Sequence, residues 1–254
     1  MTGSHENGTQ MAQTRGKIGH ALNTSRFAKI CEILFIFAVA LIVIVIATRI
    51  ADGNPLVLQA LVWTAYLFML AIVWAGLRLR GQTWKHLGLT FKLGNRRTII
   101  RAVLKSLVVL LAAVAAFVLG SIVGANIVGI PEQADMSGFN YLRGNLPMLM
   151  VALVAVFIGS SFGEEVIYRG FLITRLEEIG GKGKWATRVS VILSAIVFGL
   201  IHYNWGVMGI IQTAFMGLAL GIAYLAVGRN LWIPILAHGY MDALLLVGQY
   251  FAPE

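Results

Sequence analysis

Cysteine is all but missing from this chain. Cys31 is the only one, so no intrachain disulfide can form and a cysteine-rich metal site is excluded. Charge is scarce as well, at 12% of residues, where a soluble domain carries about 25%. Strand-like alternation is absent, which removes a membrane β-barrel. H-E-x-x-H does not occur, so an ordinary zincin helix is ruled out. No phosphate loop or dinucleotide fingerprint follows a strand, and no basic face with interleaved aromatics suggests nucleic acid. Neither a sequence repeat nor a second domain is visible, whereas an inverted-repeat transporter usually shows two matching halves.

What remains is apolar. Hydrophobic residues make up 58% of the 254 residues and mean hydropathy is +0.81. This composition predicts an all-α, polytopic transmembrane bundle. A helix needs about 20 mostly apolar residues to cross the hydrocarbon layer. Seven stretches qualify as candidates: 28–49, 56–78, 99–124, 145–177, 188–203, 206–227 and 231–250. The fourth is too long for a simple crossing, and its amphipathic second half, Tyr168–Glu178, is expected to protrude from the bilayer or lie along its surface. Residues 1–25 read as a flexible polar tail, 26–144 as N-terminal transmembrane helices and 145–250 as further helices of the same bundle. A cleaved signal peptide is the alternative for Ile33–Ala47, but the run is long and no A-x-A site follows. Pro55, Pro131, Pro147 and Pro234 fall at or near span ends, and Pro234 is positioned to kink the last helix. Gly120/Gly124, Gly159/Gly163 and Gly217/Gly221 have the spacing that lets helices approach closely.

The formal net charge of +9 reads as topology. Lys and Arg gather before the first span, between the second and third, around the fourth-to-fifth connection and at Arg229. Only Arg49 and Arg143 fall on the other side, with Lys105 inside span three. The positive-inside rule then puts the N-terminus in the cytoplasm and the C-terminus outside.

The residues with chemical potential lie in the last four spans. Glu164-Glu165-Val166-Ile167-Tyr168-Arg169 follows directly on the apolar run Leu146–Phe162. Charge in such a segment is costly and functional by default. Glu165 and Arg169 are i,i+4 neighbours able to pair, while Glu164 points about 100° away on a regular helix. A solvated helix end is the plain alternative. His202 closes Phe198-Gly199-Leu200-Ile201-His202, either as an interfacial histidine beside aromatic anchors or as part of a site. His238 lies among apolar neighbours with Asp242 one turn later, as a core contact or as a base or ligand with its orienting carboxylate. Glu32 reads as interfacial, and Cys31 as a small core or lipid-facing residue. Gly159-Ser160-Ser161-Phe162-Gly163 matches G-x-S-x-G literally, but a nucleophile elbow needs a strand, a turn and a helix, and this run is helical.

Glu164-Glu165-x-x-x-Arg169, Phe198-x-x-x-His202 and His238-x-x-x-Asp242, in that order on successive membrane helices, resemble the three motifs of the CPBP family. This is the family of CAAX prenyl endopeptidases and bacteriocin-processing or self-immunity proteins, also called the ABI family. The resemblance covers roughly residues 145–250. It implies an all-helical intramembrane protease with Glu164 as the catalytic glutamate, His202 and His238 as its essential partners, and Glu165 and Arg169 completing the first motif. The family's third motif most often ends in Asn where this chain has Asp242.

On this reading Glu164 acts as general base on a water positioned with His202, and His238, oriented by Asp242, stabilises the oxyanion or completes a metal site. Two histidines and a carboxylate also match the three-ligand pattern of catalytic zinc. Zn2+ or another divalent metal on Glu164, His202 and His238 and a metal-free glutamate-activated water both stay open. Expected partners are membrane lipid and a membrane-associated peptide or protein, such as a prenylated C-terminus or a small secreted peptide. The competing reading is a transporter, channel or scaffold that uses the buried charges for ion passage or packing.

Overall fold

The computed structural model describes residues 16–90, 95–130, 136–181 and 183–253. Among them there is no strand, and the main helices are seven. They are α1 Arg26–Ala51, α2 Pro55–Leu79, α3 Arg96–Val128, α4 Leu146–Gly180, α5 Lys184–Leu200, α6 Gly206–Ala226 and α7 Trp232–Tyr250. Ser25, Asn54, Asn95 and Asn145 cap the first four, each side-chain oxygen accepting a first-turn backbone N–H. Among the described residues five helices are long and apolar enough to cross a membrane: α1, α2, α3, α4 and the helix ending at Ala226. The remaining two, α5 with 17 residues and α7, which carries His238 and Asp242, belong to the same bundle. The chain is a multi-pass membrane protein.

Its packing suits lipid. Leu34, Ile42, Val108, Leu111, Val151, Val154 and Ile192 face outward, and Cys31 is exposed among them. Lipid covers such residues, so apolar burial cannot hold the helices together, and close packing and polar contacts do so instead. Helix α3 packs mainly on α6, α5 on α6, and α1 on α2, with α4 touching α1, α2, α5, α6 and α7. The spaced glycines lie at these crossings. A Cβ on Gly120 would meet Gln212 Cα at 2.9 Å and Ile211 O at 3.1 Å, so α3 and α6 touch backbone to backbone. Lys105 lines an open apolar groove of about 610 Å³ with Leu104, Val108, Ala219 and Ile222, and its long stem lets the ammonium reach toward the interface.

Several sequence expectations are revised or sharpened. Of the expected tail 1–25, residues 1–15 lie outside the described residues, but 16–24 are helical. That helix is seated on the end of α2: a Cβ on Gly19 would collide with Leu79 O, and Arg80 Nη2 donates to Leu22 O at 3.2 Å. The amphipathic second half of α4 is enclosed by neighbouring helices. Tyr168, Phe171, Leu172 and Ile173 are buried, as are Arg169, Arg175 and Glu177. Paired charge makes this burial tolerable. Arg175 meets Glu178 at 2.9 Å and Glu32 at 3.5 Å, Arg80 pairs with Glu32, Lys29 reaches Glu178 at 3.6 Å, and Arg229 holds Glu177 at 2.7 Å. Glu32 is therefore part of an internal ion network, not a free interfacial group. Pro234 sits in the first turn of α7, where its missing N–H has no intrahelical carbonyl to meet in any case.

Helix α4 is irregular where the acidic pair lies. Phe157–Phe162 and Glu165–Leu172 are π-helical, bracketing Gly163 and Glu164. In the second of these segments Tyr168 O accepts both the Ile173 N–H five residues on and Ser194 Oγ of α5 at 2.8 Å. Such π segments often accompany functional sites.

Gly120→Val puts branched carbons against the α6 backbone, which cannot move aside. We expect about 1–3 kcal/mol of destabilisation, read as a lower unfolding temperature of the purified protein in detergent. Gly248→Ala, with nothing within 4 Å of the added carbon, should leave that temperature unchanged or raise it.

Candidate active site

The first-motif residues enter the bundle from the π-helical part of α4. Glu165 is fully buried and meets Arg169 Nη1 at 2.8 Å, the i,i+4 pair expected from the sequence. Arg169 has two further contacts. Its Nη2 donates to Gly217 O of α6 at 3.4 Å, and its guanidinium lies 4.3 Å from the ring centre of Phe198 on α5. A buried cation over an aromatic face gains electrostatic attraction as well as cover from solvent. Close approach makes the α6 contact feasible, since a Cβ on Gly217 would meet Phe198 Cδ1 at 2.9 Å.

Helix α7 supplies the next members. His238 Nδ1 stands 2.9 Å from Glu165 Oε1, the oxygen that also meets Arg169. A carboxylate only accepts, so Nδ1 donates and the ring is turned with Nε2 toward Glu164 and Asp242. Nε2 lies 3.9 Å from Glu164 Oε2 and 3.7 Å from Asp242 Oδ1, both beyond hydrogen-bond reach. The carboxylate that orients His238 is thus Glu165, not Asp242 as the i,i+4 spacing suggests. Asp242 Oδ2 instead accepts from Ser161 Oγ at 2.7 Å. This serine is the central residue of the G-x-S-x-G run. It sits within a π-helical turn, bonded to a carboxylate, with no strand–turn–helix elbow around it.

His202 follows the last turn of α5. Its Nδ1 is 2.8 Å from Phe198 O, so Nδ1 donates and Nε2 is left as the acceptor. The ring packs between Phe198, at 4.9 Å between centroids, and Trp205, at 5.1 Å. Phe198 also meets His238 at 6.1 Å, edge to face. The two histidines therefore flank one aromatic ring, although among the described residues no hydrogen bond or ion pair joins His202 to Glu164, Glu165 or Asp242.

Glu164 lies on the side of α4 facing α2. Its Oε1 accepts from Tyr66 OH at 2.9 Å and from Ser160 Oγ at 3.4 Å. Oε2 is buried and has no hydrogen-bond partner among the described residues. Tyr66 was not visible as a site residue in the sequence, where the first three spans offered few polar candidates. The available signal was indirect: a tyrosine inside an apolar span needs a partner for its hydroxyl. Gly163 makes the approach feasible, because a Cβ there would meet Tyr66 Cβ at 3.2 Å.

A divalent metal fits this arrangement poorly. Among the described residues no three His, Cys, Asp or Glu side chains form a group able to hold a metal ion, so Glu164, His202 and His238 do not assemble as a ligand set. His238 Nδ1 is engaged by Glu165 and His202 Nδ1 by the Phe198 carbonyl. What the group offers is a buried carboxylate with one open oxygen beside an imidazole nitrogen, the arrangement needed for proton transfer to and from a water.

Comparison with known proteins adds one match. Residues 146–244 match the family model described as Rce1-like, type II CAAX prenyl endopeptidase. Curated proteins and solved structures returned no match. The matched segment runs from the start of α4 into α7, which takes in Glu164, Glu165, Arg169, His202, His238 and Asp242, and it supports a protease of the CAAX type acting within the membrane. With three motifs in order and an Rce1-like match over residues 146–244, the C-terminal helices are consistent with the CPBP family of intramembrane proteases.

Proposed function

We propose that this protein hydrolyses a peptide bond in a membrane-associated substrate by a glutamate-activated water, with residues 145–250 as the catalytic helices of a single bundle. The observation that carries this reading is Glu164 Oε2, buried, without a hydrogen-bond partner among the described residues, 3.9 Å from His238 Nε2. Glu164 takes a proton from the water at Oε2, and the resulting hydroxide adds to the scissile carbonyl. His238, as an imidazolium flanked by the Glu164, Glu165 and Asp242 carboxylates, carries N–H on both ring nitrogens and donates Nε2–H to the developing oxyanion, with Nδ1–H held by Glu165 and Glu165 held by Arg169. His202 keeps Nε2 as an acceptor and steadies the water's second hydrogen. Glu164 then returns its proton to the leaving amine as the tetrahedral intermediate collapses, giving a carboxylic acid and an amine, which become a carboxylate and an ammonium on proton exchange. Donors already aimed at the reacting atoms need no reorganisation during the step.

The substrate is a peptide or protein segment held at the membrane: a prenylated CAAX-type C-terminus or a small secreted peptide. Extended backbone is tolerated at membrane depth only where it is enclosed by protein or lines a cavity. The seven helices and the distribution of Lys and Arg support a cytoplasmic N-terminus and an external C-terminus.

Glu164→Gln keeps shape and removes the proton acceptor. Cleavage of a fluorogenic peptide by purified protein should fall about 10²–10⁴-fold with unchanged unfolding temperature, and full activity would end this mechanism. Asp242→Asn retains a carbonyl oxygen for Ser161 and should stay within a few-fold of wild type, about the effect of one modest hydrogen bond. Activity should also survive chelation. Loss on chelation with recovery on added zinc would replace the metal-free route.

The topology is tested by thiol labelling of intact cells with single cysteines at Ser4 and Glu254, positions outside the described residues, after Cys31→Ser. Labelling from opposite sides is expected, and labelling of both from one side would refute an odd span count.

A further inference from the structure

The two oxygens of Glu164 have unlike surroundings. Oε1 takes both donors, the Tyr66 phenol at 2.9 Å and Ser160 Oγ at 3.4 Å. Oε2 takes neither and faces His238. A donated hydrogen bond draws electron density toward the oxygen that accepts it, leaving the other oxygen as the available proton acceptor. Two donors on one oxygen also stop the carboxylate from rotating and exchanging its ends.

The phenol's aim is built into the backbone. Tyr66 lies on α2, 98 positions from Glu164 in sequence and outside the family-matching segment. Its ring packs over Gly163, where a Cβ would meet Tyr66 Cβ, Cγ and Cδ1 at 3.2, 3.4 and 3.5 Å. One turn earlier on each helix, Trp63 packs against Gly159 in the same way, with its Cδ1 at 2.8 Å from the position a Cβ would take. Two aromatic residues of α2 thus seat on two glycines of α4, and this seating delivers the hydroxyl to Glu164 in a dry environment, where a hydrogen bond to a charged group is worth more than in water.

We propose that Tyr66 is a positioning residue for Glu164. It fixes Oε1 so that Oε2 receives the proton, and the catalytic segment therefore depends on the N-terminal helices for a working base. This rests on Glu164 acting as the base.

The test uses purified full-length protein, with Tyr66→Phe, Ser160→Ala and Glu164→Gln assayed for kcat, KM and unfolding temperature. Phenylalanine preserves the packing on Gly163 and deletes only the hydroxyl. kcat of Tyr66→Phe should fall about 10- to 100-fold, the range for losing a hydrogen bond to a charged group, with KM and unfolding temperature unchanged. Ser160→Ala should cost less, in line with its longer contact. The Glu164 carboxylate band, identified by infrared difference against Glu164→Gln, should shift in Tyr66→Phe. Wild-type kcat in Tyr66→Phe beside an inactive Glu164→Gln overturns the positioning role while leaving the base intact. A fall in both kcat and unfolding temperature without a band shift overturns it as well, since packing alone then explains the loss. Full activity of Glu164→Gln removes the underlying base, a separate failure.

Discussion

A single carboxylate oxygen holds this site together. Glu165 Oε1 meets Arg169 of its own helix and His238 of α7, and Arg169 in turn reaches the α6 backbone and the Phe198 ring of α5. Each charge taken out of water costs several kcal/mol, and removing one partner leaves the other unpaired at greater cost. The arrangement is thus sensitive to every member. It fixes the rotation of α4, the ring orientation of His238 and the spacing of four helices at once.

A second charge network anchors the far end of α4. Glu32 and Lys29 from α1, Arg80 after α2 and Arg175 with Glu178 from α4 form one connected set, and Arg229 joins Glu177 beside it. Lipid-facing apolar residues give the helices little reason to associate, so ion pairs and glycine contacts supply the geometry that a water-soluble protein would obtain from burying a core. Between these anchors α4 departs from regular α geometry over Phe157–Phe162 and Glu165–Leu172, around the residues whose side chains must point to different helices. Glu164 turns toward α2 and Glu165 toward α7, which separates two adjacent carboxylates into different environments.

The resulting division of labour has a chemical sense. Glu165 is committed on its Oε1 to an arginine and a histidine, while Glu164 keeps one oxygen open. His202 and His238 share Phe198 as a common wall but differ in their Nδ1 partners, a backbone carbonyl in one case and a carboxylate in the other. Two imidazoles with different partners differ in how readily they donate or accept, and a hydrolytic cycle needs one group of each kind.

The sequence by itself determined the features that local composition and short spacing dictate. Long apolar runs must become helices because lipid offers their backbone no hydrogen bonds, so the seven helices were legible to within a few residues, as was the i,i+4 pair Glu165–Arg169. The order of the three motifs also pointed to the segment that matches the Rce1-like family model, residues 146–244. Only the tertiary structure decided contacts between distant helices. The nearest carboxylate in sequence to His238 is Asp242, yet the one in contact is Glu165, 73 positions away, because the ring's Nδ1 faces α4. Ser161 turned out to serve Asp242, Tyr66 to serve Glu164, and the amphipathic end of α4 to be enclosed. Helical periodicity gives the direction of a side chain around its own axis, but which neighbour stands there is set by how whole helices pack, and that depends on glycines and charges far apart in the chain.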